Sequence, residues 1–179
     1  MQYLHLATRC LLVVIFLVSS VGKVSGRTAY SRFVTSVRDM GVLPAPLVPA
    51  AAASVVAAET VVWLLLLVPT PPAARSGGVI ATGLLCAFTA VVLASLWRGV
   101  RTPCRCFGTS AAPLGARHVV RNSCLAASSA VCVTTAGAGG PVHASGAVVA
   151  VSAGLLTSAL IVWLDDIVDL FRPAAAQTR

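Results

Sequence analysis

The run LVPAAAASVVAAETVVWLLLLV, residues 47–68, carries one charged side chain in 22 positions. At 1.5 Å per residue a helix of that length reaches about 33 Å, enough to cross roughly 30 Å of hydrocarbon. Lipid offers backbone N–H and C=O groups no water to bond, so the run must be helical to satisfy them internally. Small residues crowd it, as in PAAAASVVAA (49–58), and such a face lets a neighbouring backbone come close.

Four other runs repeat the pattern: Leu4–Gly22, Val79–Trp97, Val119–Ala136 and Ala144–Leu164. The first has the apolar stretch of a signal peptide, but its start holds one arginine, Arg9, and four spans follow, so it reads as a span. Of the 179 residues, 58% are hydrophobic and 10% charged; a soluble domain averages about 25% charged. The expected fold class is all-α, a polytopic membrane helix bundle. Residues 1–170 make a single membrane domain, and 171–179 a disordered tail.

The connections differ in kind. In RTAYSRFVTSVRDMGV (27–42), Tyr30, Phe33, Val34 and Val37 fall at i, i+3, i+4 and i+7. Arg32, Ser36, Arg38 and Asp39 lie elsewhere on the wheel, which predicts a short amphipathic helix at the membrane surface. PTPPAARSGG (69–78) and TAGAGGPVHAS (135–145) read as turns. Trp63, Trp97 and Trp163 read as interfacial anchors, and Asp165, Asp166 and Asp169 as a solvated face.

The net charge is +8, and the basic residues sit in the gaps between apolar runs. That is the pattern of membrane topology, not of a nucleic-acid surface. Lys23, Arg27, Arg32, Arg38, Arg98, Arg101, Arg105, Arg117, Arg121, Arg172 and Arg179 fall on one side; Arg9 and Arg75 fall on the other. The positive-inside rule then puts the amino terminus outside and the loop after Trp97 in the cytoplasm of a multi-pass cell-membrane protein.

That loop contains RTPCRCFGTS (101–110). Cys104 and Cys106 are the two of six cysteines outside apolar runs. Positive charge favours the thiolate, the form that exchanges disulfides and binds soft metals. Arg101 and Arg105 are sequence neighbours, and Arg117 and Arg121 open the next helix, whose N-terminus adds partial positive charge. Cα atoms two residues apart can lie about 5.5–6 Å apart, so the pair could close a small, reducible ring. Thiol–disulfide exchange is the first reading, with Cys104 and Cys106 as the exchanging pair. Soft-metal binding and an inert loop disulfide are the others; two thiolates and His118 are too few for a closed zinc site. Neither a metal nor another cofactor is expected. Cys124 and Cys132 are possible relay positions on the next helix, and the bland reading of Cys10, Cys86, Cys124 and Cys132 is small buried hydrophobes.

Four features together resemble the MauE family of methylamine-utilisation membrane proteins, akin in style to DoxX-like four-helix proteins. They are FLVSSVGK (16–23), Glu59, CRCFG (104–108) and Arg121-Asn122, within about residues 9–136. The resemblance implies a four-helix core, so the fifth run is a further transmembrane helix. It also implies a role in maturing the disulfide-rich small subunit of methylamine dehydrogenase, an exported client, beside a thioredoxin-like partner, MauD. Arg105 stands where the family usually has a small residue. An exported client and a cysteine pair on the cytoplasmic side require electrons to cross the bilayer, unless the charge tally misleads. A non-enzymatic scaffold for client and partner is the rival from another class.

Glu59 lies mid-span, where a carboxylate needs a partner or a proton. It is about 18 Å along its helix from Leu47; Arg9 is about 21 Å from Lys23 at the same face. Level depths predict an Arg9–Glu59 brace, with Lys23 as the second choice. Arg105, Arg121 and Asn122 complete the expected support around the cysteines.

Overall fold

The computed structural model describes residues 1–99, 115–137, 140 and 143–170, apart from the side chains of 165–170. These form six α-helices: α1 Gln2–Val24, α2 Arg27–Asp39, α3 Val48–Leu67, α4 Pro71–Trp97, α5 Ala116–Thr135 and α6 Ala144–Leu170. A 3-10 turn, Ala45–Leu47, leads into α3. Helices α1, α3, α4 and α5 pack in a closed ring, each against the next, and α6 lies on the outside of α1. The four-helix core with an added helix is thus the observed architecture.

Four helical segments among the described residues are long and apolar enough to cross a membrane: Gln2–Val24, Ala45–Leu67, Pro71–Trp97 and Ala144–Leu164. The segment expected as a span at 119–136 is helical as α5, but it is not one of the four. Its composition explains the difference. It buries His118, Arg121, Asn122 and Ser129, so its polar face is turned into the bundle. It lies antiparallel to α4: Val119 packs beside Val92, and Ser129 Oγ donates to Gly78 O at 2.8 Å.

The stretch 69–78, expected as a turn, is mostly helix. Pro71 and Pro72 occupy the first helical positions, where a missing N–H costs nothing. Gly77 and Gly78 are there for packing, not for turning. A Cβ on Gly78 would fall 2.6 Å from Val133 Cγ2, so the glycine is what lets α5 approach α4.

True glycine conformations bracket α2. Gly26, at φ 143°, turns the chain out of α1, and Gly41, at φ 64°, ends α2 in the left-handed region. Between them Phe33 is buried and Tyr30, Val34 and Val37 are half-buried, while Arg32, Arg38 and Asp39 are exposed, as the wheel predicts. Ser36 departs from that wheel: it is buried with Phe33 as α2 packs on α1 and α3.

The core holds Leu12, Ile15, Phe16, Val62, Leu66 and Leu125. Exposed leucines and valines such as Val61, Leu64, Val148 and Leu156 cover the outside, an apolar surface suited to acyl chains. Of the three tryptophans expected as interfacial anchors, Trp97 and Trp163 are exposed, and the ring of Trp63 packs half-buried against the core. The tail 171–179 and the side chains of Asp165, Asp166 and Asp169 lie outside the described residues.

Helix α6 runs parallel to α1, with Gly146 over Tyr3 and Gly154 over Ala7 and Cys10. A Cβ at Gly154 would lie 2.6 Å from the Ala7 carbonyl oxygen, and that backbone cannot yield cheaply. Gly154→Ala is expected to cost about 1–3 kcal/mol by overpacking. Gly83→Ala, where a Cβ meets nothing within 4 Å, should instead gain up to about 1 kcal/mol from helix propensity. Reversible denaturation in detergent micelles reads both.

Candidate functional site

Ser19 and Lys23 are four residues apart on α1, one turn along the same face. Both are buried, Lys23 with 4% of its surface exposed, and they face Glu59 of α3, which has 8%. Lys23 Nζ lies 2.6 Å from Glu59 Oε1 and 2.7 Å from Oε2. It also donates to Ser19 Oγ at 2.6 Å, and Ser19 Oγ donates to Glu59 Oε1 at 3.0 Å. An ammonium has three protons to donate, and here all three have acceptors. The Phe33 ring of α2 lies 5.1 Å from Nζ, within cation–π range.

The brace therefore joins Lys23, not Arg9, to Glu59. Side-chain direction explains the correction. A helical side chain leans toward the N-terminus of its own helix. On α1 that tilts Lys23 back into the bundle and Arg9 away from it, toward the other end. On the antiparallel α3 it tilts Glu59 toward Lys23. Arg9 instead donates from Nε to Leu66 O and from Nη2 to Val68 O, the latter at 2.6 Å. Those carbonyls end α3 without helical partners, so Arg9 serves as its cap.

Composition held a signal that depth arithmetic missed. The chain has one lysine and one glutamate; its other twelve cations are arginines and its other four acids are aspartates. The lone lysine and the lone glutamate are the two that meet.

Beside this pair lies a cavity of about 180 Å³ between α1, α2, α3, α4 and α5. Its walls are apolar except for Ser19, Lys23, Ser36, Glu59 and Asn122. Asn122, expected as support for the cysteines, is 2% exposed and lies in this wall. Its Nδ2 is buried without a hydrogen-bond partner. Arg121, beside it in sequence, is buried at the start of α5. The same end of the bundle holds the C-terminus of α4, where Arg98 Nη1 donates to Gly41 O at 2.8 Å. The chain between α4 and α5 thus leaves and re-enters the fold at the end where α2, Lys23 and Glu59 lie. Cys104, Arg105 and Cys106 lie outside the described residues.

The two possible relay cysteines are not brought together. Cys124 is exposed on α5, while Cys132 is buried with Sγ 3.9 Å from His5 Nδ1. His5 Nδ1 also lies 3.3 Å from Thr135 Oγ1, at the end of the bundle opposite Lys23. Of the cysteines expected as small buried groups, Cys132 fits, Cys10 is half-buried, and Cys86 and Cys124 are exposed.

The family model for methylamine utilisation protein MauE matches residues 1–135, three-quarters of the chain. The chain belongs to that family. The match ends with α5, so α6 is an addition to the matched core. No curated protein and no solved structure matches the chain. With four apolar helices, it is a membrane protein of the family named for methylamine utilisation.

Removing one partner of a buried ion pair strands the other charge, at about 3–5 kcal/mol. Glu59→Gln alone should destabilise the protein on that scale, and Lys23→Met with Glu59→Met much less. A double-mutant cycle in micelles should show coupling above about 1 kcal/mol between positions 23 and 59, and within about 0.5 kcal/mol of zero between 9 and 59.

Proposed function

We propose that the chain supports maturation of an exported, disulfide-containing redox protein by thiol–disulfide exchange at Cys104 and Cys106. The observation that carries this reading is the family match, whose span includes CRCFG and the arginines around it. The client in methylamine utilisation is the small subunit of methylamine dehydrogenase, and the working partner is a thioredoxin-like protein of the MauD kind.

The chemistry needs a thiolate, a disulfide and a resolving thiol. One cysteine of the pair attacks a disulfide sulfur of the thioredoxin-like partner and forms a mixed disulfide, releasing the partner's other sulfur as a thiolate. The second cysteine then attacks the mixed disulfide, closes the Cys104–Cys106 ring and frees the partner fully reduced. The reverse sequence oxidises a dithiol. Arg101, Arg105 and Arg121 favour the thiolate by charge. Lys23 and Glu59 hold α1 against α3 at the loop's end of the bundle, and Arg9 caps α3 at the other. The arginine tally favours a cytoplasmic loop and an external amino terminus in the cell membrane. On that topology electrons must pass between the pair and a client across the bilayer.

In cells expressing client and partner, Cys104→Ser and Cys106→Ser should each abolish disulfide maturation of the client while the membrane protein still accumulates. Unchanged maturation with both serines present would make the chain a scaffold. In a variant retaining only Cys104 and Cys106, an impermeant maleimide should label inverted vesicles and spare intact cells. Labelling of intact cells would put the loop outside.

A further inference from the structure

Helix α2 turns a wholly polar face outward. Its exposed positions hold Arg27, Arg32, Arg38 and Asp39, with one serine and two threonines. Arg27 and Arg38 fall within about 20° of each other around the axis, and Arg32 about 140° from Arg27. Arg98, also exposed, joins them at the end of α2, where its Nη1 donates to Gly41 O. Among the described residues the salt bridge is that of Lys23 with Glu59, and none of the three α2 arginines shares in one. The hydroxyls of Ser31 and Thr35 donate to carbonyls of their own helix. The guanidinium protons are therefore what this face offers to a ligand, and their charge is offset on the helix by Asp39 alone. The acids that end α6, Asp165, Asp166 and Asp169, belong to a helix that packs on α1.

The neighbours of α2 set the depth of that face. Val21 and Val24 are exposed just before it, at the end of α1, and Leu43 and Leu47 just after it. Side chains suited to acyl chains thus come up to both ends of the helix. Trp97, 87% exposed, stands one residue from Arg98, and indole rings gather at the membrane–water boundary. A cationic face at that depth lies among headgroups. We propose that the exposed face of α2 binds the phosphates of anionic phospholipids, with Arg27, Arg32 and Arg38 as the donors. A guanidinium takes a phosphate through two parallel N–H···O bonds. A zwitterionic headgroup brings its own cation, so the excess positive charge selects lipids of net negative charge. The proposal does not depend on the thiol reading or on which side of the membrane α2 lies.

The test titrates the full chain, in a neutral detergent, with phosphatidylglycerol or phosphatidylcholine and counts bound lipids by native mass spectrometry. An arginine beside an anionic lipid contributes about fivefold in affinity, so phosphatidylglycerol should bind about tenfold or more tightly than phosphatidylcholine. Arg27→Gln with Arg32→Gln and Arg38→Gln should remove most of that preference, and the three lysine substitutions should keep it. Asp39→Asn should raise phosphatidylglycerol affinity about fivefold. Arg75→Gln, at the opposite end of the bundle, should change neither lipid. The side chains are exposed, so circular dichroism should show unchanged helicity; if the glutamine variant fails to fold, Asp39→Asn decides. Equal affinity for the two lipids in the unmodified chain overturns the proposal. So does a preference that survives the folded glutamine variant, which would leave the face to an acidic protein, or one lost equally with Arg75→Gln, which would reduce it to net charge. Displacement of phosphatidylglycerol by millimolar inorganic phosphate would overturn the assignment to lipid.

Discussion

An ammonium and a carboxylate deep in an apolar bundle are tolerable only together, and the packing around them follows from that constraint. Lys23 and Glu59 fix how far α1 slides along α3, because either alone would be a stranded charge. Ser19 adds the remaining acceptor. Phe33 closes over the ammonium, which pins α2 against the bundle rather than leaving it loose at the surface. With α2 held there, the space between it and α4 becomes a cavity with Asn122 in its wall.

The opposite end is tied by different means. Arg9 caps the end of α3, His5 meets Thr135 of α5, and the His143 backbone N–H donates to Tyr3 Oη. These are hydrogen bonds rather than an ion pair. Between the two ends, small residues carry the packing: Gly78 under Val133, and Gly154 over Ala7. In lipid, where apolar burial does not drive helices together, such close contacts are the main attraction. Helix α5 completes the core by turning inward a face that joins Asn122 and Ser129 to the apolar Leu125 and Cys132.

Length and hydropathy made the helices legible, since a run of about 20 apolar residues has few alternatives in lipid. The wheel of α2 was equally plain. Three features were hidden for physical reasons. Prolines and glycines at 71–78 read as a turn because composition cannot tell a helix start and a packing face from a loop. Val119–Ala136 read as an apolar span from its length, although Arg121, Asn122 and its serines lower its hydropathy below that of the other four runs; that they face inward is a tertiary fact. Depth arithmetic took Leu47 and Lys23 as one face and so set Glu59 level with Arg9; the contacts of Arg9 with Leu66 and of Lys23 with Glu59 depend on helix offset and side-chain tilt, which are tertiary facts. The cavity left no mark in the sequence, because its walls come from five helices.

The ion pair can be measured without mutation, since each partner is the sole residue of its type. Lysine labelled with ¹⁵N at Nζ and glutamate labelled with ¹³C at Cδ would report one spin pair in lipid-reconstituted protein. Rotational-echo solid-state NMR should find the two nuclei at ion-pair separation, about 4 Å or less. The absence of dipolar dephasing between them would contradict the arrangement on which the bundle, the cavity and the placement of α2 depend.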